Sequence, residues 1–332
     1  MNNFNVVFLG GSITEGAGAS KYTNSFTYNI EDYIKQKYKD KNVSVFNEGI
    51  SGTGSQFGLF RLKRDVASKD PDIVFIEFAV NDRIVDSNSV LITAEGLIRE
   101  LLKLSKAPAI IFLITPTELE DACGDLHKRI ADYYNISCID IQNYVWNNIR
   151  RNKYRWNEIS IDNLHPNDKG HDIYGDYIIS VLENNDGILF NKPILRENIL
   201  TGFEFKNPRL ISYEEAIFYG HWKEENINIK GKMNIAAVSD MIGDCIEIYF
   251  NGNYFAITTL LTRNSGILEI EIDGATGSID LYSNTDPYFT CVLNIDNLAE
   301  GTHRAVLRVS ERKNINSVGN RIVIGEFLVD DN

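Results

Sequence analysis

From residue 5 to about residue 183, apolar positions come in short, largely unbroken runs: Val6–Leu9, Val43–Phe46, Asp72–Phe78, Ala109–Thr115 and Ser137–Ile141. Continuous rather than alternating runs of this length predict parallel strands covered on both faces. Between them the spacing turns helical, at Phe26, Ile30, Tyr33, Ile34 and Tyr38, at Leu97, Ile98, Leu101 and Leu102, and at Leu126, Ile130, Tyr133 and Tyr134. Strands alternating with helices imply right-handed crossovers. The expected fold is α/β: a three-layer α/β/α, doubly wound, flavodoxin-like domain with a parallel sheet of about five strands.

After about residue 196 the pattern changes period. Cys245–Phe250, Ile267–Ile272, Ser278–Tyr282 and Arg304–Val309 alternate apolar and polar residues, and turn dipeptides stand at Asn251–Gly252, Asp273–Gly274 and Glu300–Gly301. Such alternation predicts half-buried antiparallel strands. The expected second domain is an all-β, jelly-roll-like sandwich, with boundaries 1–196 and 197–332 and the division near Pro193.

A chain of 332 residues exceeds what one hydrophobic core usually supports, which agrees with two domains. Hydrophobic residues at 43% and charged residues at 24% exclude disordered and fibrous classes. With 33 basic against 46 acidic residues the net charge is −13, which argues against nucleic acid as a partner. The start MNNFNVVFLGG has no basic segment ahead of a long apolar one, and the longest apolar run, Ala109–Ile114, is too short to cross a bilayer. The expectation is a cytoplasmic protein with no membrane partner. Cys123, Cys138, Cys245 and Cys291 show no C-x-x-C spacing, so reduced thiols are expected.

The first run leads into Gly10-Gly11-Ser12-Ile13-Thr14-Glu15-Gly16-Ala17-Gly18. A phosphate-binding reading fails because Ala17-Gly18 stands where Lys and Ser or Thr would be needed. The G-x-S-x-G elbow fails because Thr14 replaces its second glycine. A serine just past the carboxyl end of a strand survives, beside glycines that allow close approach of a ligand. Downstream, Asp162-Asn163-Leu164-His165-Pro166 precedes a helical pattern. An Asp and a His three residues apart in such a loop suit a carboxylate-oriented general base, or equally a helix cap beside a surface His. The second run ends in Asn47-Glu48-Gly49-Ile50-Ser51-Gly52 and the third in Phe78-Ala79-Val80-Asn81-Asp82. With strand order 2-1-3-4-5, the loops carrying Ser12, Gly52 and Asn81 meet at one switch point. Alone, Asn81-Asp82 also reads as an Asx turn.

These four segments, in this order, resemble the SGNH or GDSL-like hydrolase superfamily over roughly residues 4–185. Gly11 stands where many members carry Asp, and Ala79 replaces the usual glycine of G-x-N-D. The resemblance implies a serine esterase in which Ser12 attacks, His165 relays the proton and Asp162 orients the imidazole. It implies an oxyanion hole from the Ser12 and Gly52 N–H groups and the Asn81 amide, with no cofactor and no metal. An aromatic-rich β-sandwich beside such a domain also resembles the architecture of carbohydrate esterases, some of which carry a jelly-roll domain on one side or the other of the catalytic one. The expected activity is therefore removal of O-acetyl groups from a small-molecule or oligosaccharide ester. A lysophospholipase or thioesterase, a sugar O-acetyltransferase using the same serine, and a non-catalytic carbohydrate-binding protein are the alternatives. The resemblance leaves the sugar and the oligomeric state open.

Trp156, ahead of the Asp162 loop, is a candidate for lining the substrate pocket, with a buried structural Trp as the alternative. His171 is expected to pack rather than catalyse, and His127, His221 and His303 are too scattered to suggest a metal. In the second domain Tyr213, Tyr219, Trp222, Tyr254, Tyr282 and Tyr288 are candidate sugar platforms, though most sandwich aromatics are core.

Overall fold

A computed structural model describes residues 3–285 and 287–331. The chain forms two compact units, Met1–Glu204 and Phe205–Asn332. In the first, β1 (Asn3–Gly10), β2 (Asn42–Gly49), β3 (Ile73–Glu77), β4 (Ala109–Ile114) and β5 (Ser137–Asp140) form one parallel sheet in the order β2-β1-β3-β4-β5. This is the doubly wound order expected from the apolar runs.

The continuous runs have their predicted consequence. One face of the sheet presents Val6, Phe8, Phe75, Ile111 and Ile139 to helices Phe26–Lys37, Ile141–Arg150 and Asp168–Asn184, through Ile30, Ile34, Val145, Tyr174 and Ile178. On alternate positions Val7, Leu9, Val74, Ile76 and Phe112 are equally buried, beneath helices Ser55–Phe60, Ser87–Leu102 and Gly124–Tyr134. Burying a side chain of this size contributes roughly 1.5–3 kcal/mol, so two covered faces stabilise the sheet strongly. The helices start where the sequence caps them. Ser25, Asp86 and Asn167 accept the backbone N–H groups of Tyr28, Ser89 and Gly170, which fixes the first turn of three of the helices.

The first unit runs on past residue 196 because two polar side chains of helix Ser87–Leu102 hold the segment that follows. The Glu95 carboxylate accepts the N–H groups of Leu200 and Thr201 at 2.7 and 2.8 Å. Arg99 donates to the Arg196 carbonyl and to Glu204.

The second unit is an antiparallel β-sandwich, as the alternating segments imply. One sheet orders Ala275–Asp280, Ile267–Ile272, Thr302–Val309, Cys245–Asn251 and Ile217–Tyr219. A second orders Tyr288–Ile295, Phe255–Leu261, Glu326–Asp330 and Pro208–Ser212, and a third Ile322–Ile324, Met233–Ser239 and Lys223–Ile229. Alternate residues Ile246, Ile248, Leu268, Ile270 and Leu307 face Phe255, Ile257 and Phe327 across the core. Of the three turn dipeptides only Asp273–Gly274, both at positive φ, closes a hairpin, pairing Ile272 with Ala275. Asn251–Gly252 and Glu300–Gly301 connect strands of different sheets. The strand expected at Ser278–Tyr282 runs from Ala275 to Asp280. All four cysteines are free thiols, and among the described residues no helix is long and apolar enough to cross a membrane.

Candidate active site

The loop after β1 becomes a one-turn helix, Ser12–Glu15, and three neighbours pin it. Asn47 at the end of β2 donates to the Thr14 carbonyl at 2.8 Å. The Glu15 carboxylate accepts both the N–H and the hydroxyl of Ser51. Glu77, the last residue of β3, accepts the Thr14 hydroxyl at 3.1 Å and the Thr115 hydroxyl at 2.8 Å, while its backbone carbonyl takes the Gly11 N–H. Full burial pushes the Glu77 carboxyl up to about 7, and the two threonine hydroxyls only partly offset that. Arg61, itself fully buried, donates to the carbonyls of Gly10 and Glu48 and pairs with Asp65 at 2.8 Å. It clamps the carboxyl ends of β1 and β2 together.

On this frame Ser12 Oγ lies 2.8 Å from His165 Nε2, and His165 Nδ1 lies 2.7 Å from Asp162 Oδ2. Asp162 Oδ1 accepts the N–H groups of Leu164 and His165, both at 2.7 Å. Burial acts to raise the Asp162 carboxyl, but bonds from the His165 ring and from these two N–H groups outweigh it and hold it below the usual range. An ionised carboxylate can only accept, so the ring proton belongs on Nδ1 and the Nε2 lone pair faces the Ser12 hydroxyl. That is the arrangement of an activated nucleophile.

The Asp162 loop is closed on itself. Ser160 donates to the carbonyls of Asp162 and His165, Ile161 N–H bonds the His165 carbonyl, and Asn167 N–H bonds the Ile159 carbonyl. Trp156 lies beneath this loop rather than on its surface. It is 8% exposed, stacks on Trp146 at 6.0 Å, and donates its indole N–H to the Asp162 carbonyl at 2.8 Å. The sequence could not separate this buried role from a pocket-lining one, because either uses the same amphipathic ring.

The segments that carry the three expected oxyanion donors pack together at Gly11, where an added Cβ would meet Asn81 Oδ1 at 2.2 Å and the carbonyl of Thr53, next to Gly52, at 3.4 Å. Ser12 N–H and Gly52 N–H have no acceptor among the described residues, and neither does the Asn81 amide. Asn81 packs so tightly on Gly11 that a Cβ there would lie 2.2 Å from Asn81 Oδ1. Gly at the position where the superfamily often has Asp is therefore matched to this seat for Asn81. Ala79 is fully buried, and its carbonyl accepts the Cys123 N–H at 3.0 Å.

Residues 8–173 match the profile of the GDSL-like Lipase/Acylhydrolase family, half of the chain. The chain belongs to that family. It is a carboxylic ester hydrolase of the SGNH type. An acetylxylan esterase of Geobacillus stearothermophilus is 26% identical over 196 residues, covering 50% of this chain and 88% of that protein. Two structures of a two-domain esterase active on acetylated mannans share the fold of this family member across both units. They have TM-scores of 0.86 and 0.84, identities of 24% and 23%, and coverage of 99% of this chain and 91% and 92% of theirs.

Glu77 and Arg61 carry no signal in the sequence pattern, and His171 was expected only to pack. Glu77 closes an otherwise apolar strand, and Arg61 stands among Lys63, Arg64 and Asp65 with nothing in the sequence to mark it as the fully buried one. His171 is buried as expected for packing, but it also bonds the loop that follows Ser12, with Nε2 3.1 Å from the Ala17 carbonyl and Nδ1 accepting the Phe26 N–H. The sugar-platform candidates divide. Tyr219 and Tyr288 are exposed, Tyr282 and Trp222 are half-buried, the latter packed against the sandwich core, and Tyr213 and Tyr254 are buried and offer no open platform.

Proposed function

We propose that this enzyme hydrolyses O-acetyl esters on a carbohydrate through Ser12, His165 and Asp162. The observation that carries the reading is the continuous relay from Ser12 Oγ to His165 Nε2 at 2.8 Å and from His165 Nδ1 to Asp162 Oδ2 at 2.7 Å. As the Ser12 oxygen adds to the ester carbonyl, its proton passes to His165 Nε2. The imidazolium so formed is stabilised by Asp162. The carbonyl oxygen becomes an oxyanion within reach of the Ser12 and Gly52 N–H groups and the Asn81 amide, each donor typically contributing about 3 kcal/mol to the barrier reduction. Collapse breaks the bond to the sugar oxygen, which leaves with the proton from His165. Water then attacks acetyl-Ser12 with His165 as base, and acetate departs.

The carbohydrate ester is inferred from the relatives: one acts as an acetylxylan esterase, another is active on acetylated mannans and was crystallised with mannopentaose. An oligosaccharide partner is consistent with the acidic chain, which offers no excess positive charge for phosphate-rich ligands. The test is acetate release from acetylated mannan and acetylated xylan, alongside a series of p-nitrophenyl esters of increasing chain length. The reading predicts release from at least one polysaccharide and a rate maximum at acetate. A maximum at long acyl chains would assign a lipid or thioester substrate instead, and faster acetyl transfer to an added sugar than to water would assign a transferase.

A further inference from the structure

We propose that Asp82, held by His127, is a positioning residue that ties together the two loops carrying Gly52 and Asn81. The inference rests on the oxyanion role given to those two residues above. Asp82 ends the one-turn helix Ala79–Asp82, so its side chain and that of Asn81 leave adjacent positions of one turn in different directions. Asn81 goes to Gly11. Asp82 turns into the protein, where it is 2% exposed, and its two oxygens take different partners. Oδ1 accepts the backbone N–H of Ser55 at 2.8 Å, three residues after Gly52. Oδ2 lies 3.0 Å from Nε2 of His127, which is fully buried on helix Gly124–Tyr134.

The contact with the Gly52 loop is close. A Cβ at Gly54 would stand 2.3 Å from Asp82 Oδ1, so the backbone at 54–55 is drawn onto the carboxylate. Ser55 is fixed on its other side by a 2.9 Å bond between its hydroxyl and Thr93. His127 gives the carboxylate its second partner and rests on Phe112 of β4, with ring centroids 5.2 Å apart. Its Nδ1 has no partner, so in a buried site the neutral ring with the proton on Nε2, donated to Asp82, is the form that fits.

Asp82, Cys123 and His127 bring their polar atoms within 4.8 Å of one another, a spacing compatible with a metal. The bonds already made argue for a buckle instead. Burial, reinforced by the Asp82 charge, pushes the Cys123 thiol up to about 12, and Sγ donates to the Ala79 carbonyl at 3.3 Å. Its bond adds a further tie to the turn that presents Asn81.

The consequence is kinetic. Without the buckle the two loops relax independently, and a displaced donor weakens transition-state binding more than ground-state binding. The test is a double-mutant cycle on a p-nitrophenyl acetate assay, using Asp82→Ala, Asn81→Ala and both, with folding followed by circular dichroism. Asp82→Ala should lower kcat about a hundredfold with KM within about threefold of wild type. In the Asn81→Ala background the same change should cost less than about tenfold, because the donor it positions is already gone. Asp82→Asn should recover most of the loss, since its Oδ1 can still accept from Ser55 and its amide can donate to His127 Nε2 once the neutral ring carries its proton on Nδ1. Should Asp82→Ala fail to fold, His127→Phe, which removes the partner and keeps the volume, carries the same cycle. Unchanged kcat, or equal losses in both backgrounds, would overturn the proposal. Ser12→Ala in the same assay keeps the two readings distinct, because retained activity there overturns the nucleophile assignment and leaves the buckle measured by its own cycle.

Discussion

His171 Nε2 lies 3.1 Å from the carbonyl oxygen of Ala17, so the helix that follows His165 is bonded to the loop that follows Ser12. Ser12 and His165, the proposed nucleophile and base, stand 153 residues apart in the chain, and this bond is one of the ties that sets their distance. Asp168 supplies another, accepting the N–H and hydroxyl of Ser20 and the amide of Asn24.

The His171 contact makes a pH prediction. Burial holds this imidazole below its ordinary value of 6.5, and the Ala17 carbonyl only partly offsets it. Above pH 6.5 both folded and unfolded chains are neutral at this site. Below it the unfolded chain takes up a proton that the folded chain resists, so stability is lost as pH falls from 6.5 through the lower folded value. Thermal melts of wild type and His171→Gln between pH 7.5 and 5 should show wild type losing Tm faster as pH falls. Parallel curves would contradict this.

Glu77 acts in the opposite sense. Its folded value of about 7 lies above the ordinary 4.5, so its contribution is complete below pH 4.5 and fades as pH rises through 7. Glu77→Gln keeps an acceptor for Thr115 and removes the charge. The variant should gain Tm relative to wild type between pH 5 and 8, and an unchanging difference would show that the carboxyl does not titrate in this range.

Gly11→Ala should act on catalysis rather than on folding. The added methyl would stand 2.2 Å from Asn81 Oδ1, and the end of a side chain yields more easily than backbone. The amide therefore moves, and loss of one oxyanion donor costs about 10²–10³ in kcat. Steady-state kinetics with p-nitrophenyl acetate should show that fall, with Tm lowered by only a few degrees. Wild-type kcat would remove Asn81 from the oxyanion site.

Trp156→Phe tests what steadies the Asp162 loop. It removes the indole bond to the Asp162 carbonyl and part of the stack on Trp146, for about 1–2 kcal/mol of stability. The Asp162 carbonyl keeps its bond from Ser160, so kcat should fall by no more than about tenfold. A rise in KM for an oligosaccharide, with kcat untouched, would instead restore a substrate contact for this residue.

The strand order and the placing of the Ser12, Gly52 and Asn81 loops at one switch point were legible because they depend on local signals, whereas Asp162 and His165 were joined to Ser12 only through the resemblance to the superfamily. Periodicity marks each strand, and a loop at a strand's carboxyl end has only one place to be once the order is doubly wound. The supporting bonds were not legible. His127 meets Asp82 across 45 residues and His171 meets Ala17 across 154, and one buried polar residue leaves no periodic trace. Asn81-Asp82 looked like an Asx turn because the dipeptide's own chemistry is local, whereas each side chain here bonds or packs elsewhere. In the sandwich, Asn251–Gly252 announces a turn without saying which sheet the next strand joins. Tyr254, next to that turn, packs edge-on against Phe205 instead of facing solvent. Polar anchors at Glu95 and Arg99, invisible to a composition shift, carry the first unit on to Glu204.

The claim that Ser12 is the nucleophile is tested most directly by intact-protein mass spectrometry after treatment with a serine-directed phosphonate. The account predicts one adduct per chain, mapped by peptide digestion to Ser12, formed in step with loss of acetate release and absent from Ser12→Ala, whose activity should be down at least about a thousandfold. An adduct on another serine, or wild-type acetate release from Ser12→Ala, would contradict it.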